Sequence, residues 1–565
     1  MPDTTHRGSG GATPSSLRSR VDDLIAVYGS AEACAADLLC DRHPADSVAF
    51  TVVEADLSAR DLTYGELRRE SARFAAALAD LGVGQGDAVA TLMGKSAELV
   101  VALLGIWRRG AVYVPLFTAF APPAIALRLT AARVKVVLVD RDQGSKLAPG
   151  PDLPADAPWQ TVVVGGSPQG HELSFEELLS GYSGDEPQGR PVALGPDGLL
   201  VKLFTSGTTG APKAVPVPVR ALASFRAYLE FGLDVRPDDV FWNAADPGWA
   251  YGLYYAVLGP LAAGVRSILL HTGFSAPLTW QVMEQFKVTN FAAAPTVYRT
   301  LRTSSEQVPD GVRLRRASSA GEPLTPDVVS WSQEVLGVPV HDHYGQTEHG
   351  MVISNGWADG VRSPLRGGSM GRPLPGWSAA VLRGDGHEPA PPGTMGQVAI
   401  RVADSPLMWF TGYADAPEKT AARFTADRRW YLTGDAGTQD EDGFFYFSAR
   451  DDDVIIMAGY RIGPFDVESV LAEHAAVAES AVVGVPDELR GEVLEAFVVL
   501  RPEAAGDAGE ALVTELQQLV KRRFAAHAYP RAVHFVDRLP KTPSGKVQRF
   551  RLRERRAGEQ SSRNS

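Results

Sequence analysis

The chain predicts an α/β fold: a large N-terminal α/β domain built on several sheets, followed by a small, mobile α+β domain. Three observations carry this. From about residue 47 to 300, short β-branched runs alternate with Ala- and Leu-rich segments of helical length. With 565 residues the chain is too long for one core. The last 110 or so residues repeat the strand and helix signals after a cluster of charges, SARDDD at 448–453, that suits a hinge.

The strand candidates are VAFTVVE, AVATLM, VKVVLVD, TVVVGG and LLVKLF, and between them LTYGELRRESARFAAALADL and SAELVVALLGIWRRG read as helices. In the first of these helices Leu67, Phe74, Ala77, Leu78 and Leu81 recur at helical spacings, the stripe of a helix packed on a sheet. Stretches rich in Pro and Gly, such as LAPGPDLPADAP and DGHEPAPPGTMG, read as loops. The C-terminal strands are ESAVVGV, EAFVVL and AVHFV, and its helices VESVLAEH and LVTELQQLVKRRFAAH. The expected boundaries are a disordered tail at 1–20, a large domain at 21–451, a hinge at residue 452, a small domain at 453–552 and a polar tail at 553–565.

Composition narrows function. A net charge of -12 argues against nucleic acid or anionic membrane as a general partner, because such surfaces need clustered Lys and Arg. No run of about 18 uncharged apolar residues occurs, so no integral membrane contact is expected. Cys34 and Cys40 are the only cysteines, too few for a disulfide framework or a Cys-rich metal site, and a cytoplasmic setting fits. The N-terminus lacks the apolar core of a signal peptide.

The segment LFTSGTTGAPK carries the clearest chemistry. Gly207 and Gly210 let successive N–H groups share one concavity, Thr205, Ser206, Thr208 and Thr209 add hydroxyls, and Lys213 adds a charge: a loop for polyphosphate. It does not satisfy GxxxxGK[ST], the P-loop of nucleotide triphosphatases. The chain has ten lysines against 45 arginines, so a lysine kept in a loop marks a need for a compact ammonium. Lys213, Lys541 and Lys546 all stand in such loops, the last two in LPKTPSGKVQR.

TSGTTGAPK, YGQTE at 344–348, YLTGD ending at Asp435, ARDDDVI from Ala449, GYRIGP from Gly459 and PKTPSGK ending at Lys546 stand in the order and spacing of the adenylate-forming superfamily. The resemblance runs from about residue 45 to 552. GYRIGPFDVESVLAEH with SARDDD is most similar to the acetyl- and medium-chain acyl-CoA synthetase branch. It implies an ATP-dependent acyl-CoA ligase that makes an acyl-adenylate and pyrophosphate from a carboxylic acid and MgATP, then passes the acyl group to coenzyme A.

The resemblance also implies roles. Lys546 would neutralise the carboxylate and α-phosphate, Thr347 would bond the α-phosphate and Glu348 would hold Mg²⁺. The loop from Thr205 to Lys213 would cradle the outer phosphates. Tyr344 would stack on adenine, with Gly321, Glu322 and Pro323 on its other side and Asp342, His343, Gly345 and Gln346 in the same nucleotide segment. Asp435 and Arg450 would hold the ribose, Asp452 would be the hinge, and Gly459, Tyr460 and Arg461 would meet coenzyme A.

Acetate-activating relatives carry a tryptophan where this chain has Gly345, which implies a deep acyl pocket walled by Trp249, Tyr251, Tyr254 and Tyr255 and an acid that is bulky or of medium to long chain. Ala214 and Ala449 replace glycines common in the family and place methyl groups beside nucleotide loops. Two alternatives follow: a ligase that adenylates weakly and thioesterifies a preformed acyl-adenylate, or a stand-alone enzyme that loads a carrier protein. A homodimer and a bacterial secondary-metabolic role are further expectations.

Overall fold

The computed structural model describes residues 14–563 apart from 155, 206–212, 305, 385–386, 452, 458–459, 488–490, 526 and 543–545. It is mixed α/β, with three sheets of 14, seven and five strands. The first two build the large N-terminal region and the third the smaller C-terminal one.

The alternation read from the sequence becomes parallel sheet. In the seven-stranded sheet Ala88–Leu92 lies between Val112–Pro115 and Val134–Asp140, all parallel, because helices connect them over the faces. Helix Tyr64–Asp80 starts where Thr63 Oγ1 accepts the Glu66 N–H, and it buries Leu67, Phe74, Ala77 and Leu78. Helix Ala97–Arg108 is capped in the same way by Ser96 and is apolar nearly all round because both of its faces meet protein.

The 14-stranded sheet changes character along its length. Its parallel part, Asn290–Ala293, Arg316–Ala320 and Val340–Gln346, turns antiparallel at Gly350–Ser354 and continues into Trp430–Gln439 and Phe445–Arg450. The turn between Val340–Gln346 and Gly350–Ser354 holds Thr347 and Glu348, so the YGQTE segment lies where the sheet reverses.

The small region has its own core, formed by Ile455, Val467, Leu471, Val482, Leu494, Val498, Leu516 and their neighbours. Helix Pro464–Leu471 carries it against the large region, with Phe465 against Phe447 at 6.0 Å between ring centroids.

Both tails are corrected in part. Residues 14–20, expected in the disordered tail, begin helix Pro14–Tyr28, anchored by Arg20 pairing with Glu230 and by burial of Val21, Leu24 and Tyr28. Residues 553–563, expected as a polar tail, form the greater part of helix Arg549–Arg563; Arg553 pairs with Asp453 and Arg556 with Glu495. In both helices distant carboxylates anchor arginines that local sequence reads as solvated.

Candidate active site

Most of the nominated residues stand on or beside strands of the large region. Lys213 opens the strand Lys213–Pro218, beside the segment at 413–414, to which it is tied by the Ala414 N–H donating to the Ala214 carbonyl at 2.9 Å. Glu348, almost wholly buried, accepts the Tyr413 hydroxyl on Oε1 at 2.7 Å. Burial and Arg423 lower the Lys213 ammonium pKa, and Glu348 pulls it back.

Asp435 is the hub of the polar network. Its Oδ2 accepts the Tyr344 hydroxyl at 2.5 Å and Gln346 Nε2 at 2.6 Å, and its Oδ1 accepts Arg450 Nη1 at 2.8 Å. The two strands that bear Asp435 and Arg450 are adjacent and place them directly opposite one another. Burial and the Asp435 charge hold the Tyr344 phenol neutral. Gln346 is further held by the Thr433 carbonyl and the Tyr431 hydroxyl, so it braces the hub.

Gly321 has φ +100°, a conformation that favours glycine, and the Trp249 ring stands 3.3 Å from where its Cβ would be. Glu322 accepts Thr296 Oγ1 and Arg299 Nη2. Burial pushes the Asp342 carboxyl well above the carboxylate range. His343 is a core residue, bonded to the Tyr228 hydroxyl at 2.6 Å and held neutral by burial, with its pKa near about 3.

Lys546 comes from the small region and faces the large one. It keeps surface open to the cleft, yet the protein around it lowers its ammonium pKa; Glu322, Asp435 and Glu348 oppose that shift and Arg450 adds to it. Its neighbour in motif, Lys541, is spent on an ion pair with Glu479 at 2.6 Å. Ser206 to Gly210, Asp452 and Gly459 lie outside the described residues, as do the side chains of Tyr460 and Arg461. Thr205 pairs across the hairpin with Lys213, Pro323 follows Glu322 into the same loop, and Thr347 is half-buried in the turn before Glu348, its carbonyl accepting the Tyr254 hydroxyl.

The acyl-pocket reading is corrected in two respects. Tyr251, Tyr254 and Tyr255 are fully buried, with Tyr254 stacked on Phe225 and Tyr255 accepting the Met351 N–H, so they pack the core and present no wall; only Trp249 stays half-buried. At Gly345 a Cβ would collide with the Gly350 carbonyl and meet Met351 Cα at 2.7 Å, so the glycine is required by the bulge between the two strands. Ala214 and Ala449 are both buried inside strands, where their methyl groups are accommodated.

Sequence reasoning missed Tyr413 and Arg423. Both stand in a stretch, GYADAPEKTAARF, with no cluster of chemistry-bearing residues, and only tertiary pairing through Ala214 and Glu348 brings them to the site. A crevice of about 1100 Å³ opens elsewhere, outside the carboxyl ends of Ala88–Leu92 and Val134–Asp140, lined by Lys95, Asp140, Asp246 and His271 among others. None of the residues nominated from sequence lines it, and carboxylates outnumber cations there, an unfavourable setting for polyphosphate.

The geometry agrees with comparison to known proteins. Residues 36–413 match the model for the AMP-binding enzyme, and residues 466–546 match its C-terminal domain. The chain belongs to the AMP-binding enzyme family. Among its curated relatives, the mitochondrial acyl-coenzyme A synthetase ACSM3 of Mus musculus is 36% identical over 505 residues, 87% of this chain and 84% of that one. An acetyl-coenzyme A synthetase of Bacillus subtilis (strain 168) is 35% identical over 86% of this chain and 84% of its own.

Solved members of the AMP-binding enzyme family share the whole architecture. An acyl-CoA synthetase of Brucella canis superimposes with TM-score 0.72 at 42% identity, covering 96% of this chain and 97% of that one. The anthranilate CoA ligase AuaEII, solved with anthranoyl-AMP, gives TM-score 0.82 at 28% identity over 94% and 98% of the two chains.

Proposed function

We infer that this member of the AMP-binding enzyme family is an AMP-forming acid–thiol ligase, an acyl-CoA synthetase that uses ATP and coenzyme A. The observation that carries the assignment of the chemistry to this seam is the network at Asp435, which gathers Tyr344, Gln346 and Arg450 from separate motifs on one carboxylate. A carboxylate is a poor acyl donor because its leaving group would be oxide. Attack of a carboxylate oxygen on the ATP α-phosphorus forms the acyl-adenylate and breaks the bond to pyrophosphate, and AMP then becomes the leaving group. That attack gathers anions, and fixed cations placed where charge develops lower its barrier.

In this reading Lys546 meets the carboxylate and α-phosphate, Lys213 the outer phosphates, and Asp435 and Arg450 the ribose. Tyr344 and the Gly321 loop take the adenine. In the second step a coenzyme A thiolate attacks the acyl carbon and AMP leaves with the electron pair of the broken C–O bond.

Mg²⁺ would be held by Glu348. The residue fits a hard cation that takes much of its shell from substrate phosphates and water: it is a buried carboxylate whose Oε2 carries no hydrogen bond among the described residues. When bound, the ion would offset charge on the pyrophosphate leaving group.

For the acid we propose an acyl group larger than acetyl. Support comes from the likeness to the anthranilate CoA ligase AuaEII, a ligase of an aryl acid, which superimposes with TM-score 0.82. The test is acid-dependent exchange of labelled pyrophosphate into ATP with acetate, octanoate and benzoate, followed by coenzyme A consumption. Exchange with the larger acids above acetate supports the assignment. Acetate exceeding all others overturns the size preference, and no exchange with any acid overturns adenylation at this seam.

A further inference from the structure

Tyr413 joins three charged groups that the proposed reaction needs apart. Its hydroxyl donates to Glu348 Oε1 at 2.7 Å and accepts Arg423 Nε at 3.2 Å, and the Lys213 ammonium lies 5.1 Å from its ring centroid. The ring is nearly buried and fixed from several sides. Its backbone N–H donates to Thr420 Oγ1 at 2.9 Å, the next residue bridges to Ala214, and Phe410 stands edge-on at 5.1 Å. Arg423 is itself held by the Thr433 carbonyl at 2.9 Å.

Lys213 and Glu348 carry opposite charges and meet the same ring, one at its face and one at its hydroxyl, yet among the described residues no ion pair joins them. We propose that Tyr413 is a positioning residue that keeps this lysine and glutamate from neutralising each other. The aromatic face holds the ammonium by cation–π attraction, leaving its protons for the outer phosphates of ATP. The hydroxyl occupies Oε1, which turns Oε2 toward the position of the divalent ion. Without the ring, the two side chains would collapse into a pair, and both ATP and its ion would have to break it before binding.

The proposal rests on the adenylation reading, and the test separates the two. Binding of ATP to the full chain is measured by calorimetry with and without Mg²⁺, for the wild type, Tyr413→Phe and Tyr413→Leu, beside pyrophosphate exchange. Tyr413→Phe keeps the ring and loses the bond to Glu348, so the factor by which Mg²⁺ tightens ATP binding falls about tenfold. Tyr413→Leu also weakens ATP binding without Mg²⁺ severalfold, because Lys213 is released to Glu348.

A Mg²⁺ factor equal to the wild type's in both variants overturns the proposal. A packing role alone would lower the thermal midpoint and leave that factor unmoved. Glu348→Gln provides the second route: it should lose the Mg²⁺ factor by itself, and adding Tyr413→Phe should then change it no further. An additional loss in the double variant overturns the coupling. A wild type that neither binds ATP nor exchanges pyrophosphate contradicts the adenylation reading instead.

Discussion

Asp435 shows how much of the site hangs on single atoms. One carboxylate accepts from Tyr344, Gln346 and Arg450, and these three side chains come from the YGQTE motif and the hinge-side strand, which the sequence nominated separately from Asp435. Asp435→Asn leaves a group of the same shape but removes the charge from bonds worth about 1.5–3 kcal/mol each, so KM for ATP should rise by at least about tenfold. Steady-state exchange kinetics check this, and an unchanged KM for ATP would detach the hub from nucleotide binding. Gly345 is the opposite case, a residue whose importance is the absence of atoms. Gly345→Ala must displace the Gly350 carbonyl and should lower stability by about 1–3 kcal/mol, read as a lower unfolding midpoint.

The order of the motifs made it legible that Tyr344, Gln346, Asp435 and Arg450 belong together, and they meet in one network. What side chains face was not legible. The aromatic run WAYGLYY has the density of a pocket wall and the packing of a core, and only its tertiary neighbours, Phe225, Tyr228 and Trp409, decide for the core.

At the level of elements, the strands VAFTVVE, VKVVLVD and LLVKLF, and both N-terminal helices, lie within a residue or two of where hydrophobic period put them, since local burial governs them. The terminal helices escaped because long-range ion pairs hold them. Helix Pro464–Leu471 carries a pH-sensitive group to the seam between regions. Burial beside Ser448 pushes the Asp466 carboxyl up to about 7, whereas in the unfolded chain it would titrate near about 3.9.

Between those values the folded state binds the extra proton, so the contribution of Asp466 to stability declines as pH rises and is least favourable above about pH 7. Asp466→Asn should therefore raise the first unfolding midpoint at pH 8 and change it much less near pH 4. Scanning calorimetry at the two pH values checks this; an equal shift at both would place the effect in packing.

At the scale of the whole molecule, the large and small regions each have a core of their own; the large region holds the Asp435 network and the Tyr413 cluster, and the small one brings Lys546. Like charges also face across the seam: Arg501 of the small region lies near Arg302 of the large one and helps to lower its pKa, after the larger effect of burial. Repulsion of this kind would favour a joint that opens between steps, the role expected of the SARDDD segment, whose Asp452 lies outside the described residues. The proposed division of labour makes Lys546 a residue of the first step alone.

The decisive measurement is therefore to follow both half-reactions in Lys546→Ala. Loss of a cation aimed at developing charge costs about 10²–10³ in rate, so acid-dependent pyrophosphate exchange should fall by about that factor. Thioester formation from synthetic acyl-adenylate and coenzyme A should continue near the wild-type rate. Full exchange in the variant, or equal loss of both steps, would contradict the account.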